Sequence, residues 1–145
     1  MASFERPIIW VHADCLTPTH PGLLAYPDAP AVFVFDEALL ADWEISLKRV
    51  LFMYECLLEM PVTLLKGDVA AQVSAFARQH QADAIITSDS PSPRFREIVA
   101  KLRQSMPVTI LEVDPFVDYD GHMDLGRFSR YWRTAEKYAF DVREP

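Results

Sequence analysis

PIIWVHADCLTPTHPGL, residues 7–23, is the stretch on which the fold turns. Ile8 to Val11 form an apolar run with no polar alternation, the pattern of a strand covered on both faces, and parallel sheets bury their strands this way. The run breaks off at His12, Asp14 and Cys15 and passes into a loop interrupted by Pro18 and Pro21. In open parallel sheets, ligands bind at the loops that leave the carboxyl ends of the strands. The stretch therefore reads as a central strand followed by one half of a ligand crevice.

Four more runs repeat the pattern: AVFVFD from Ala31, VTLLKGD from Val62, ADAIITSD from Ala82 and VTILEVD from Val108, each closing on Asp. They are short and rich in Val and Ile, as central strands are. Helical patterns lie between them. Trp43, Leu47, Val50, Leu51, Tyr54, Leu57 and Leu58 fall on one apolar stripe and predict a single long helix after the second run. Asp68 is expected to cap a helix that buries Val69, Val73, Phe76 and Ala77. Ser92 is expected to cap one begun by Pro93 that buries Phe95, Ile98, Val99 and Leu102. Four prolines between Leu16 and Pro30 leave room only for a short helical piece around residues 21–26. Alternating strand and helix predict an α/β fold: a doubly wound, Rossmann-like sheet of five parallel strands, right-handed crossovers and helices on both faces.

The chain has 145 residues, half of them apolar and 24% charged, enough for one core. A formal charge of -7 argues against a general electrostatic grip on nucleic acid, which is not an expected partner of this chain alone. MASFERP leads into no apolar signal core, and no run approaches a membrane span, so the expected location is cytoplasmic. Cys15 and Cys56 are too few for a disulfide framework and are expected to be reduced thiols.

The opening stretch resembles a known signature. WVHADCLTPTHPGL from Trp10 is similar, without a gap, to the strand and loop of the photolyase and cryptochrome family, where Trp-Phe-Arg-Arg-Asp leads to Asn-Pro-Ala-Leu; Trp10, Asp14, Pro21 and Leu23 match. VFVFDEALL, LKRVLFMYECL, LLKGDVAAQVSAFA and ITSDSPSPRFREIVAKL resemble the following strands and helices, and GRFSRYWR from Gly126 resembles the Phe-Thr-Pro-Phe-Trp segment that leads out of the first domain. His12 and Ala13 stand where the family has two arginines, so no arginine contact is carried over. The resemblance implies the strand order 3-2-1-4-5. It also implies a domain that in the family holds an antenna chromophore, a flavin or a folate, beside a helical FAD domain that carries out light-driven repair or signalling. Residues 1–114 correspond to the first domain. Residues 115–145 form an acidic connector and a C-terminal helix packed on the domain or on a partner. The helical FAD domain is not represented, so no photorepair by this chain alone is expected, and enzyme activity related to deoxyribodipyrimidine photolyase is left open.

With that strand order, the sheet's topological switch lies between the first and fourth strands, and the expected crevice carries Trp10, His12, Asp14, Cys15, Asp36, Ser88, Asp89, Ser90 and Ser92. The serine hydroxyls and the helix start at Pro93 suit a phosphate or carboxylate. His12, Asp14, Cys15 and His20 include zinc-ligand types, but their spacing follows no established pattern, and no metal is expected. Asp14 is expected to brace the loop through backbone N–H groups. Cys15 has no orienting third group for nucleophilic catalysis, and no catalytic residue is assigned. Only four glycines occur, in neither a dinucleotide fingerprint nor a phosphate loop.

The leading expectation is thus a binding protein for a flavin, folate or nucleotide-like ligand. The alternative is an interaction module. In it, the C-terminal helix, with Phe128, Tyr131 and Trp132 in an aromatic stripe and Arg127, Arg130 and Arg133 on a basic flank, pairs with itself or with a separate FAD-domain chain.

Overall fold

The computed structural model describes residues 3–42, 45–113, 121–122 and 125–139. Trp43 and most of the acidic connector lie outside them. The chain forms two compact units, 1–113 and 114–145.

The first unit is built on five parallel strands: β1 (Pro7–Val11), β2 (Ala31–Asp36), β3 (Thr63–Gly67), β4 (Ala84–Ser88) and β5 (Val108–Leu111). Their order is β3-β2-β1-β4-β5, as the resemblance implied, with Ile9 beside Ala31, Ile8 beside Ile85, Val34 beside Leu65 and Ile86 beside Thr109. All five residues of β1 and all five of β4 are buried. Successive side chains point to opposite faces of a strand, so the sheet makes two cores. Ile8, Trp10, Val32, Val34 and Ile85 pack with α4 (Val69–Gln79) and α5 (Pro93–Leu102). Ile9, Val11, Phe33 and Ile86 pack with Leu23 of α1 (Pro21–Ala25) and Leu57 of α3 (Leu47–Leu58).

Local chemistry explains the helix starts, with two departures from expectation. Asp68 caps α4 as its side chain predicts: Oδ2 accepts the Ala71 N–H at 3.0 Å. Gly67, at φ +140°, makes the turn from β3 into that cap, a conformation L side chains rarely adopt. Gly67→Ala is expected to cost about 1–3 kcal/mol, read as a lower urea midpoint with an unchanged slope. Ser92 sits at the N-cap of α5, but its side chain makes no capping bond. Its amide is instead held by Ser90 Oγ at 3.2 Å, which fixes the residue in the loop.

The other departure concerns the helix after β2. The single helix expected there is two, α2 (Glu37–Asp42) and α3, which Ser46 caps by accepting the Arg49 N–H at 3.4 Å. Only Met53 and Leu57 of α3 are buried; Leu47, Leu51, Tyr54 and Leu58 of the expected stripe are exposed. The reason is geometric. At roughly 100° per residue, Leu57 sits at one edge of the expected stripe and Met53 more than a quarter of a turn from its centre. Leu57 packs with Ile9 and Phe33 of the sheet and Met53 faces the neighbouring cavity, so the helix turns that edge inward.

The second unit contains α6 (Phe128–Ala139), on which Phe128 stacks on Trp132 with ring centroids 5.9 Å apart. Among the described residues, no helix is long and apolar enough to cross a membrane.

Candidate functional site

The order in which strands are added reverses between β1 and β4, and there the two loops expected to face each other are bonded together. His12 Nε2 lies 2.8 Å from the Ser88 carbonyl oxygen and 3.0 Å from Ser88 Oγ, while the Asp14 N–H donates to His12 Nδ1 at 3.3 Å. Because Nδ1 accepts, the proton resides on Nε2 and is donated to Ser88. Burial holds the His12 pKa below its ordinary value, against the opposing pull of the Ser88 carbonyl and of the Asp14 and Asp89 carboxylates. A second bond closes the same gap: Ser90 Oγ donates to Asp14 Oδ2. Asp14 therefore braces the loop through a side chain on β4's loop, where backbone N–H partners were expected.

With the gap between β1 and β4 closed, the open space lies to one side, over the carboxyl ends of β1 and β2. It is a cavity of about 470 Å³ with a mostly apolar lining. One wall is aromatic. Trp10 stacks on Phe95 of α5 with centroids 5.5 Å apart and planes 17° apart, and the His12 ring stands edge-on to both, at 5.6 Å from Trp10 and 5.1 Å from Phe95. The opposite side is formed by Leu39 and Leu40 of α2 and by Arg49 and Met53 of α3.

An ion pair crosses the cavity's edge. Arg94 Nε meets Asp36 Oδ2 at 2.6 Å and Arg94 Nη2 meets Oδ1 at 2.9 Å, a two-pronged contact of the geometry that makes such pairs strong. The carboxylate hydrogen bond raises the Arg94 pKa above its ordinary value. Asp36 Oδ1 also accepts the Leu39 N–H at 3.3 Å, so one carboxylate ties the end of β2 to the starts of α2 and α5.

Trp10, His12, Asp14, Asp36, Ser90 and Ser92 line the cavity. Ser88 is fully buried behind His12, and Cys15 is buried in the loop without lining the cavity. Asp89 is exposed, its Oδ1 accepting the Ser90 N–H at 2.8 Å. Sequence reasoning missed Arg49, Arg94 and the aromatic wall role of Phe95. The available signal was Asp36 itself, since an acidic residue closing a buried strand calls for a cation.

Beside the site, His20 caps α1: its Nδ1 accepts the Gly22 N–H at 3.0 Å. The ring is fully buried, and among the described residues Nε2 has no hydrogen-bond partner. Burial, helped by the neighbouring His12, lowers its pKa to about 4. Among the described residues, no group of three or more His, Cys, Asp or Glu could hold a metal ion.

No family model and no curated protein matches the sequence. Solved structures do match in fold. One is an archaeal photolyase from Sulfolobus tokodaii solved with two FAD molecules, at 16% identity and a TM-score of 0.58 over 96% of this chain. This chain spans 36% of that photolyase's length. Another is the hypothetical protein MJ0577, at 15% identity and a TM-score of 0.48, covering 78% of this chain and 99% of that one. At such identity, the photolyase likeness establishes the shared α/β architecture.

Proposed function

We propose that this chain is a photolyase-type α/β domain that holds a small, flat aromatic ligand with an anionic group, a flavin first and a folate second, in the crevice over β1 and β2. The observation that carries the reading is the crevice: about 470 Å³ and largely apolar, with a few polar groups at its rim, it has the size and lining of a small-molecule site. The Trp10–Phe95 wall suits a planar ring. Arg49 and the uncapped first turn of α5 suit the anionic end. His12 is committed to Ser88 and Ser90 to Asp14, so no nucleophile with a free base faces the cavity among the described residues. Binding is the role this arrangement serves.

The test is the absorbance and mass spectrum of protein purified from its native host, followed by titration with FMN, riboflavin and a folate. FMN is expected to bind more tightly than riboflavin, and Arg49→Ala to weaken FMN about tenfold while leaving riboflavin unchanged. A colourless preparation with no thermal shift on adding any of these ligands removes the reading.

A second reading, in which α6 docks a separate FAD-domain chain, draws on Phe128, which is exposed on the helix and stacked on Trp132, with Arg127, Arg130 and Arg133 nearby in sequence. It expects a flavin-bearing chain to co-purify and to be lost with Phe128→Ser.

A further inference from the structure

The residues of α3 that turn away from the core form an ordered surface of their own. Leu47, Leu51, Tyr54 and Leu58 are 82%, 52%, 43% and 63% exposed, and all four are large apolar side chains. Their spacings of four, three and four residues are those of alternating d and a positions in a heptad repeat, so they make a straight seam along one side of the helix. Met53 and Leu57, the buried residues of α3, point roughly between a quarter and a third of a turn away from the seam, so a second helix laid along the seam leaves them in place. Scattered exposed leucines need no explanation; four in heptad register on one helix do.

The flanks of the seam identify the occupant. On the outer side, the flanking positions of the repeat are Lys48 and Glu55, seven residues apart and of opposite sign. On the inner side they are Val50 and the buried Leu57. Parallel packing sets an outer flank against an inner one and leaves each charge facing an apolar side chain. Antiparallel packing against an identical helix sets outer flank against outer flank, so that Lys48 meets Glu55 of the other copy and Glu55 meets its Lys48. The seam is likewise its own complement in that orientation, with Leu51 opposite Tyr54 and Leu47 opposite Leu58. We propose that α3 is the contact through which two copies of this chain pair, antiparallel about a two-fold axis.

A seam of twelve residues is about 18 Å long, at the small end of stable interfaces, so the dimer dissociates in the micromolar range. Sedimentation velocity of the full chain, from high-micromolar to sub-micromolar concentration, reads it. The expected result is a monomer–dimer equilibrium for the wild type and a monomer throughout for Leu51→Glu, whose far-ultraviolet circular dichroism stays native because the side chain is exposed.

The charge pairs give the sharper test. Lys48→Glu and Glu55→Lys each place like charges together twice and weaken self-association about tenfold or more. The double swap restores it, and so does mixing the two single variants, which forms a heterodimer with both pairs correct. A wild-type monomer at the highest concentration overturns the proposal. So does a dimer that survives Leu51→Glu, in particular one lost with Phe128→Ser, which pairs through α6. Single charge variants that mixing fails to rescue overturn the antiparallel arrangement.

Discussion

Acidification from neutral pH to about pH 4 is expected to remove about 3 kcal/mol of stability through His20 alone. In the unfolded chain this imidazole titrates near 6.5, and in the fold near 4. Between those values the unfolded state binds the extra proton, so stability rises with pH across the window. It is fully present above pH 6.5, falls as the pH drops toward 4, and levels off once the folded histidine is also protonated. The cause is on the ring. Nδ1 accepts the Gly22 N–H, and Nε2 is sealed in without a partner among the described residues, so a second proton must go to Nδ1, where it displaces the α1 cap. His12, whose pKa burial also lowers, adds loss in the same direction. Urea denaturation at a series of pH values measures the slope. His20→Asn supplies a capping oxygen that does not titrate, so it is expected to flatten the curve below pH 6.5 whatever it costs near neutrality. An unchanged slope in that variant assigns the acid sensitivity elsewhere.

Phe95→Ala is expected to cost about 3–5 kcal/mol, a large share of what holds a domain of this size together. The ring is 6% exposed, stacks on Trp10 and takes the His12 edge, so truncation leaves a void between α5 and the sheet and frees the wall of the crevice. Phe95→Leu separates the two effects. It fills most of the volume and is expected to cost about 1 kcal/mol, yet it removes the flat face a planar ligand would lie beside. Chemical denaturation therefore ranks the variants wild type, Leu, Ala, whereas flavin affinity falls for Leu nearly as far as for Ala. Equal stability losses for Leu and Ala would show that ring stacking, rather than filled volume, holds α5 in place. If Phe95→Leu binds flavin like the wild type, the aromatic wall is no part of the site.

The difference between these two residues also marks how much of the molecule is readable along the chain. Five apolar runs, the Asp68 cap and the Pro93 helix start are local signals, each complete within a few residues, and from them the parallel sheet, its flanking helices and the carboxyl-end location of the crevice follow. Phe95 was legible as a buried helix residue because its spacing to Val99 and Leu102 is the spacing of a helix face. His20 was not legible as an acid-sensitive cap. Nothing in THPGL says that the ring is sealed over, since full burial is a property of the folded chain and not of the local sequence.

What the sequence determined by itself, then, is the fold class, because hydrophobic period and turn chemistry act over short range and each strand and helix declares itself independently. What only the tertiary structure decided is which groups meet. Asp36 and Arg94 are 58 residues apart and His12 and Ser88 are 76 apart, so their pairing depends on strand order and register together. That pairing closed the gap between β1 and β4 and moved the open space over β1 and β2. On α3, which carries apolar side chains on two sides, only the folded chain decides that Met53 and Leu57 go in and the seam of Leu47, Leu51, Tyr54 and Leu58 stays out, because a helix lying on the domain buries one side and local periodicity does not say which.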